Sequence, residues 1–244
     1  MGRIGVRFDE AAEFADKFRA FKNLRVDGIM THFATADNLS ENDFTNEQRK
    51  KFNQTVATFE SKGFHPTYKD LANSPGAIAH ENSRSNLVRI GGILYGLGDD
   101  VLPAEVVKPK LKPVLSLHTR IAHLKIVPKS ETLGYSRTYT TVKDSIIATV
   151  PIGYQDGYSR SLSNNGRAII NGKYVPVVGR ISMDWTILDV TDVPEAKVND
   201  EVILIGEMGS LQVTSEELAQ KTNTISYEIT CGINRRVTRI YVGG

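Results

Sequence analysis

A chain of 244 residues that is 40% apolar and 24% charged can build one or two globular domains with a sizeable core, and that balance excludes disordered and fibrous classes. Lys and Arg number 30 against 28 Asp and Glu, and the resulting net charge of +2 is spread without basic blocks, so small ligands are expected as partners rather than nucleic acid. The single cysteine, Cys231, excludes an internal disulfide and a paired-cysteine metal site, and no run of about 18 apolar residues exists to cross a bilayer; the expected compartment is the cytoplasm.

The chain opens on Met1-Gly2-Arg3-Ile4-Gly5-Val6, which reads as the tail of a strand and its loop feeding a helix. Two glycines flanking an arginine suit a backbone that turns tightly near a ligand and points a guanidinium at an anion. An amphipathic helix follows over residues 9–21, then an apolar strand over 26–34. A long helix is predicted from about Asn42 to Lys62, with Phe44, Phe52, Val56 and Phe59 on its apolar face and Thr45 with Gln48 as its capping box. Strand-like 66–72, a short helix near Gly76 to His80 and a strand over 87–95 complete an alternation that argues a parallel sheet or barrel.

After a linker over 98–113 the pattern changes. Runs rich in β-branched residues at 116–127, 145–150, 167–170, 174–178, 186–190, 201–205 and 239–242 predict a mainly β second half. Asn171-Gly172 marks a type I′ hairpin, and one helix is signalled by Thr214 as N-cap with Glu217 at the capping-box position. The expected domains are a partial α/β barrel over 1–105 that binds a cofactor, and a β domain over 112–244. Three strands cannot close an eight-stranded barrel.

Chemistry-bearing residues sit at strand ends. Thr31-His32-Phe33 places an imidazole where α/β sheets hold ligands, although from this segment alone a packed or surface histidine is the commoner reading. Asn73-Ser74-Pro75-Gly76 precedes a short helix and reads either as a phosphate cradle or as a plain turn. Arg89 interrupts an apolar strand before Gly91-Gly92, which fits a ligand contact or a structural ion pair. In the β half, Tyr135, Tyr154 and Tyr227 lie in segments suited to presenting phenols, and Gly179 to Trp185 packs a charge, a thioether and an indole together.

In order, Met1-Gly2-Arg3, THFATAD (31–37), NSPGA (73–77), VRIGGILYG (88–96), LGYSRTYT (133–140), VPIGYQDGY (150–158), VGRISMD (178–184) and ISYEI (225–229) resemble the bacterial alanine racemases, fold-type III pyridoxal-phosphate enzymes. The resemblance covers essentially the whole chain. It implies the C-terminal part of a TIM-type (β/α)8 barrel, about three strands of the eight, followed by a β-rich domain. It further implies two-base interconversion of L- and D-alanine on pyridoxal 5'-phosphate, supplying D-alanine for peptidoglycan, in a homodimer with shared active sites. By the same resemblance Arg3 would lie near the cofactor's phenolic oxygen and the substrate carboxylate, and His32 would join the partner's Tyr135 to Arg89. Asn73, Ser74, Gly91, Gly92 and Tyr227 would belong to the phosphate site, and Arg89 would donate to the pyridine nitrogen. Tyr135 would be a catalytic base, while Tyr154 and Met183 would border the substrate and its carboxylate. Ser182 and Gly92 replace a cysteine and a larger apolar residue common in relatives.

One element of the family pattern is absent. The Schiff-base lysine in a segment resembling AVVKANAYGHG does not occur, and Lys69 is followed by Asp-Leu-Ala instead. The expectation is therefore a C-terminal portion lacking about five barrel strands and inactive by itself. The alternatives are a truncated relative that only dimerises or binds, a racemase for another small amino acid such as serine, and a related decarboxylase, against which the cluster around Tyr135 and Met183 argues.

Overall fold

The computed structural model describes residues 1–243, which divide into a unit over Met1–Lys112 and a second beginning at Pro113. In the first, α1 (Ala11–Phe18), β1 (Gly28–Met30), α2 (Asn42–Ser61), β2 (Tyr68–Ala72), α3 (Ser74–Ala79) and β3 (Leu87–Val88) alternate, and the strands form a parallel sheet in the order β1-β2-β3. No closed barrel is present among the described residues. Ala11 and Ala15 of α1 pack on Phe59 of α2, and one turn-spaced step along, Phe52 and Val56 pack on Phe33, Ala36 and Leu71. Phe44, expected on that apolar face, is exposed instead.

The ladder register decides what meets at the carboxyl ends of these strands. Met30 pairs with Asp70 and Asp70 with Leu87, so His32 and Arg89 each emerge two residues beyond a residue in register with Asp70. The strand expected over 87–95 is cut short. Arg89 still donates its amide to the carbonyl of Ala72 at 2.8 Å, but the backbone then turns at Gly91 into a 3-10 turn over Gly92–Tyr95 that ends on Gly96 with φ of 79°.

The second unit carries β4 (Leu117–Arg120), β5 (His123–Val127), β6 (Thr132–Leu133), β7 (Tyr139–Thr140), β8 (Ser145–Val150), β9 (Arg167–Ile170), β10 (Lys173–Pro176), β11 (Thr186–Asp189), β12 (Glu201–Met208) and β13 (Leu211–Val213), then α4 (Ser215–Thr222) and α5 (Ser226–Gly232). One sheet runs β10-β9-β12-β13 with β4 also on β12, a second runs β11-β8-β5, and β6 pairs with β7. The run at 116–127 is two strands because the chain changes sheet. Ile121 donates to the carbonyl of Asp200 and Ala122 to that of Thr149, so consecutive amides serve different sheets. The two sheets enclose a core of Ile169, Leu188, Leu204 and their neighbours.

Local signals explain the connections. Asn171 and Gly172 take φ of 48° and 74° between β9 and β10, as a type I′ turn demands. Thr214 caps α4 by accepting from the amide of Glu217 at 3.0 Å, but the Glu217 carboxylate pairs with Arg167 at 2.8 Å instead of closing a capping box. Residues 239–242 form no strand. The guanidinium of Arg239 is spent on the carbonyls of Ile233, Asn234 and Val237, and Ile240, Tyr241 and Val242 are exposed. Leu204→Ala, at a fully buried position of β12, is expected to cost about 3 kcal/mol, and Leu94→Ala, at an exposed one, less than about 0.5 kcal/mol; urea unfolding compares the two.

Candidate functional site

The first unit gathers Arg89, His32 and Asp70 at the ends of three adjacent strands. Asp70 is 5% exposed, and its Oδ1 faces Nη1 of Arg89 as an ion pair in which neither atom has another partner. Nη2 of Arg89 lies 3.0 Å from both the carbonyl oxygen of Thr31 and Nδ1 of His32. A guanidinium only donates, so Nδ1 of His32 is the acceptor and its ring proton sits on Nε2. An imidazolium could not accept at Nδ1, so this contact requires the neutral ring.

Electrostatics agree. Burial, then the charges of Arg89 and Arg3, hold the His32 pKa below its ordinary value, with Asp70 pulling the other way and the Met1 amino group adding slightly. Near neutral pH His32 is therefore uncharged. Arg3 lies in the irregular segment before α1 and acts on His32 only through its charge.

Gln48 was read as the partner of Thr45 in a capping box, and that reading is corrected. Both residues are inside α2, whose first turn has no side-chain cap. The Gln48 side chain instead accepts from the amide of Ala34 at 3.0 Å and donates to the carbonyl of His32 at 3.1 Å, which fixes the backbone that carries the imidazole. Thr45 is buried, with its hydroxyl 3.4 Å from that of Thr35.

Asn73 caps α3 by accepting from the amide of Gly76 at 3.1 Å. Gly76 also admits Phe33, since a Cβ there would lie 2.9 Å from its ring. Ser74, buried at the start of α3, accepts from the amide of Gly91 at 3.1 Å, and Gly92 follows, also buried. A hydroxyl beside successive glycine amides is a donor set of the kind that fits a phosphate. Arg89 beside it supplies the cation for a heteroaromatic ring nitrogen, so these residues fit pyridoxal phosphate. Lys69 does not join them. Although adjacent to Asp70 in β2, its ammonium is held by Glu60 of α2 at 2.8 Å.

The other candidates lie in the second unit. Tyr135 is 71% exposed in a loop where Gly134, Ser136 and Arg137 all take positive φ. At Gly134 a Cβ would come within 2.8 Å of the Arg180 amide nitrogen, so the loop needs that glycine. Beside Tyr135 opens a cleft of about 390 Å³, lined also by Thr149, Arg180, Ser182, Trp185 and Ile187. Tyr154 and Met183 are brought together by their backbones: Tyr154 and Gln155 donate to the carbonyls of Ser182 and Met183 at 3.1 and 3.0 Å. Tyr227 sits in the first turn of α5.

Asp70 and Gln48 were not recognised from sequence. In Tyr68-Lys69-Asp70-Leu71-Ala72 the adjacent Lys69 masks Asp70 as one of two charged residues, so no local signal like that of Arg89 was available.

Comparison with known families matches residues 1–99 to the model for the alanine racemase N-terminal domain and 114–241 to that for the C-terminal domain. The chain is 42% identical over 249 residues to an alanine racemase of Halothermothrix orenii and 42% identical over 250 residues to one of Citrifermentans bemidjiense, in both cases over 100% of this chain. It spans 64% and 65% of those relatives' lengths. A crystal structure of alanine racemase from Bacillus anthracis with bound L-Ala-P superposes with a TM-score of 0.91 at 37% identity, covering 100% of this chain and 62% of that one. One from Bartonella henselae with covalently bound pyridoxal phosphate gives 0.85 at 30% identity, covering 99% and 64%.

Asp70→Asn removes the carboxylate that, among the described residues, raises the His32 pKa, so the midpoint of the imidazole NMR titration is expected to fall further below 6.5. An unmoved midpoint would show that Asp70 does not act on the ring. Because the folded pKa is depressed, His32 favours folding above its ordinary value, and that contribution is lost as pH drops through the folded one. Stripping Arg89 of its partner is also expected to cost about 2–4 kcal/mol in denaturant unfolding.

Proposed function

The chain belongs to the alanine racemase family, and from that premise we propose that it contributes the cofactor cradle and the tyrosine base of an alanine racemase acting on pyridoxal 5'-phosphate. The observation that carries this reading is the contact of Arg89 with the neutral His32. A ring nitrogen placed at Arg89 meets a donor that keeps its own proton. When bound, the cofactor supplies an electron sink that acidifies the α-proton of the amino acid. A guanidinium partner leaves that sink weak, which suits brief proton exchange over diversion into transamination.

In this reading Ser74 and the amides of Gly91 and Gly92 hold the phosphate, with Asn73 shaping the turn, and Tyr227 is carried over from the family resemblance as a further phosphate contact. His32 has its remaining proton on Nε2, so it donates to a phenolate and stabilises the basic form of a tyrosine. Tyr135 of a partner subunit is that tyrosine, removing or returning the α-proton on one face of the substrate. Its exposure within its own chain suits a residue that completes a neighbouring site. Arg3 and the Tyr154 and Met183 segments receive the substrate carboxylate and border its path. The assembly is a cytoplasmic homodimer, and D-alanine for the cell wall is its product.

Because the chain carries no Schiff-base lysine, the test is loss of optical rotation from L-alanine and from D-alanine, with added pyridoxal phosphate, by this chain joined to a racemase segment that supplies that lysine. Tyr135→Phe keeps the ring and removes the base, and it is expected to lower kcat by about 10²-fold or more with cofactor binding retained. Activity of that variant equal to that of the unsubstituted protein rules out Tyr135 as a base.

A further inference from the structure

One cation outside the residues assigned above gathers three separate stretches of the second unit. Arg236 follows α5, and its Nε and Nη2 contact the two carboxylate oxygens of Asp156 at 2.6 and 3.1 Å. The same Nη2 donates to Oδ1 of Asp184 at 2.5 Å. Asp156 is 6% exposed, whereas Asp184 lies at the rim with about half its side chain in solvent. Asp156 also accepts from the amide of Gly153 at 2.8 Å, and its own carbonyl accepts from the amide of Asn234 at 2.9 Å. The loop over 153–157 is thus tied to the segment after α5 through both side chain and backbone.

The contacts are close on every side. A Cβ on Gly153 would overlap the carbonyls of Ser182 and Met183, and one on Gly157 would overlap that of Gly232. Nothing larger than glycine lets the three stretches approach this far. Burial pushes the Asp156 carboxyl up, but the bonds from Arg236 and from the Gly153 amide outweigh it and leave the group below its usual range. An isolated exposed ion pair would contribute little. Here the anion is enclosed and doubly contacted by a planar fork that also spans a second carboxylate, an arrangement a lysine ammonium cannot reproduce.

We infer that Arg236 is a positioning residue, a latch that fixes the Tyr154 loop and the Met183 segment to each other so that substrate meets one preset surface. The side chains of Tyr154 and Met183 are themselves well exposed, so the location of their backbones sets where they act. Sub-ångström placement of this kind is what substrate-positioning groups supply. The latch is a feature of the second unit alone, while its catalytic consequence rests on the racemase reading.

Trp185, the single tryptophan of the chain, adjoins Asp184 and reports on the rim side of the latch. Asp184→Asn is the primary variant, because it releases the Met183 segment without leaving the enclosed Asp156 unpaired. Arg236→Lys is the second. In Asp184→Asn, amide exchange over 182–185 is expected to accelerate about tenfold while β9 is unchanged, with a shift in Trp185 emission. KM for alanine is expected to rise about fivefold with kcat within about twofold. In Arg236→Lys the faster exchange extends to 153–157. Unchanged exchange in folded Asp184→Asn overturns the latch, and faster exchange with unchanged KM overturns its positioning role. Absence of racemisation by the chain joined to a segment that supplies the Schiff-base lysine defeats the functional reading instead, and exchange with Trp185 emission then decides for or against the latch.

Discussion

Arg89 cannot shed its proton, and the carboxyl end of the small parallel sheet is organised around that constraint. An enclosed guanidinium must be given acceptors. The structure supplies three from two neighbouring strands and the residues that follow: the carboxylate of Asp70, the carbonyl of Thr31 and Nδ1 of His32. Each acceptor loses freedom in turn. His32 is restricted to one tautomer, and Gln48 of α2 holds its carbonyl and the next-but-one amide. An enclosed ion pair is weak evidence for stability but strong evidence for a fixed geometry. The parallel register makes this convergence unavoidable, since Asp70 is in register with Met30 on one side and Leu87 on the other.

The second unit solves a different problem, presenting side chains outward from a rigid base. Its sheets bury nearly all their inward apolar residues, so the loops between them are anchored at both ends. The Tyr135 loop then adopts left-handed backbone at two non-glycine residues in succession, Ser136 and Arg137. Such conformations carry a cost of about 1 kcal/mol or more each and persist only where surrounding structure dictates them. Here β6 and β7, which flank the loop, pair with each other and close it.

The residues legible in the sequence were those whose role follows from position along one strand. His32, Ser74, Arg89 and the two glycines each follow an apolar run, and strand ends are where such sheets bind ligands. Asp70 escaped notice and Gln48 was assigned to a local cap because their true partners lie 19 and 16 positions away, and nothing local distinguishes a polar residue that reaches across from one that faces solvent. The same limit explains the misread strands. Alternation over 116–127 records which side chains are inward, but not that the backbone leaves one sheet for another at Ile121. Ile240, Tyr241 and Val242 have strand-forming side chains, yet such propensity expresses fit to a half-buried surface, and these three residues have none.

The pairing of Arg89 with Asp70 also bears on how a cation can serve beside a histidine that must stay neutral. An uncompensated guanidinium at hydrogen-bond distance would press strongly on the imidazole and on any ring nitrogen near it. The Asp70 carboxylate cancels much of that field while leaving the donor geometry intact, because coulombic effects of opposite charges at nearby points subtract but hydrogen-bond directions do not. Arg3 adds positive charge without a compensating acid in contact, and it too bears on His32. Burial first, then Arg89 and Arg3, keep His32 from accepting a proton against the opposing pull of Asp70, and Nδ1 stays free to take Arg89's hydrogen bond. A donor fixed by an acid on one side and by a neutral base on the other can hold a ligand nitrogen in place without handing it a proton. That separation of orientation from acidity follows from the contact geometry of Arg89 alone.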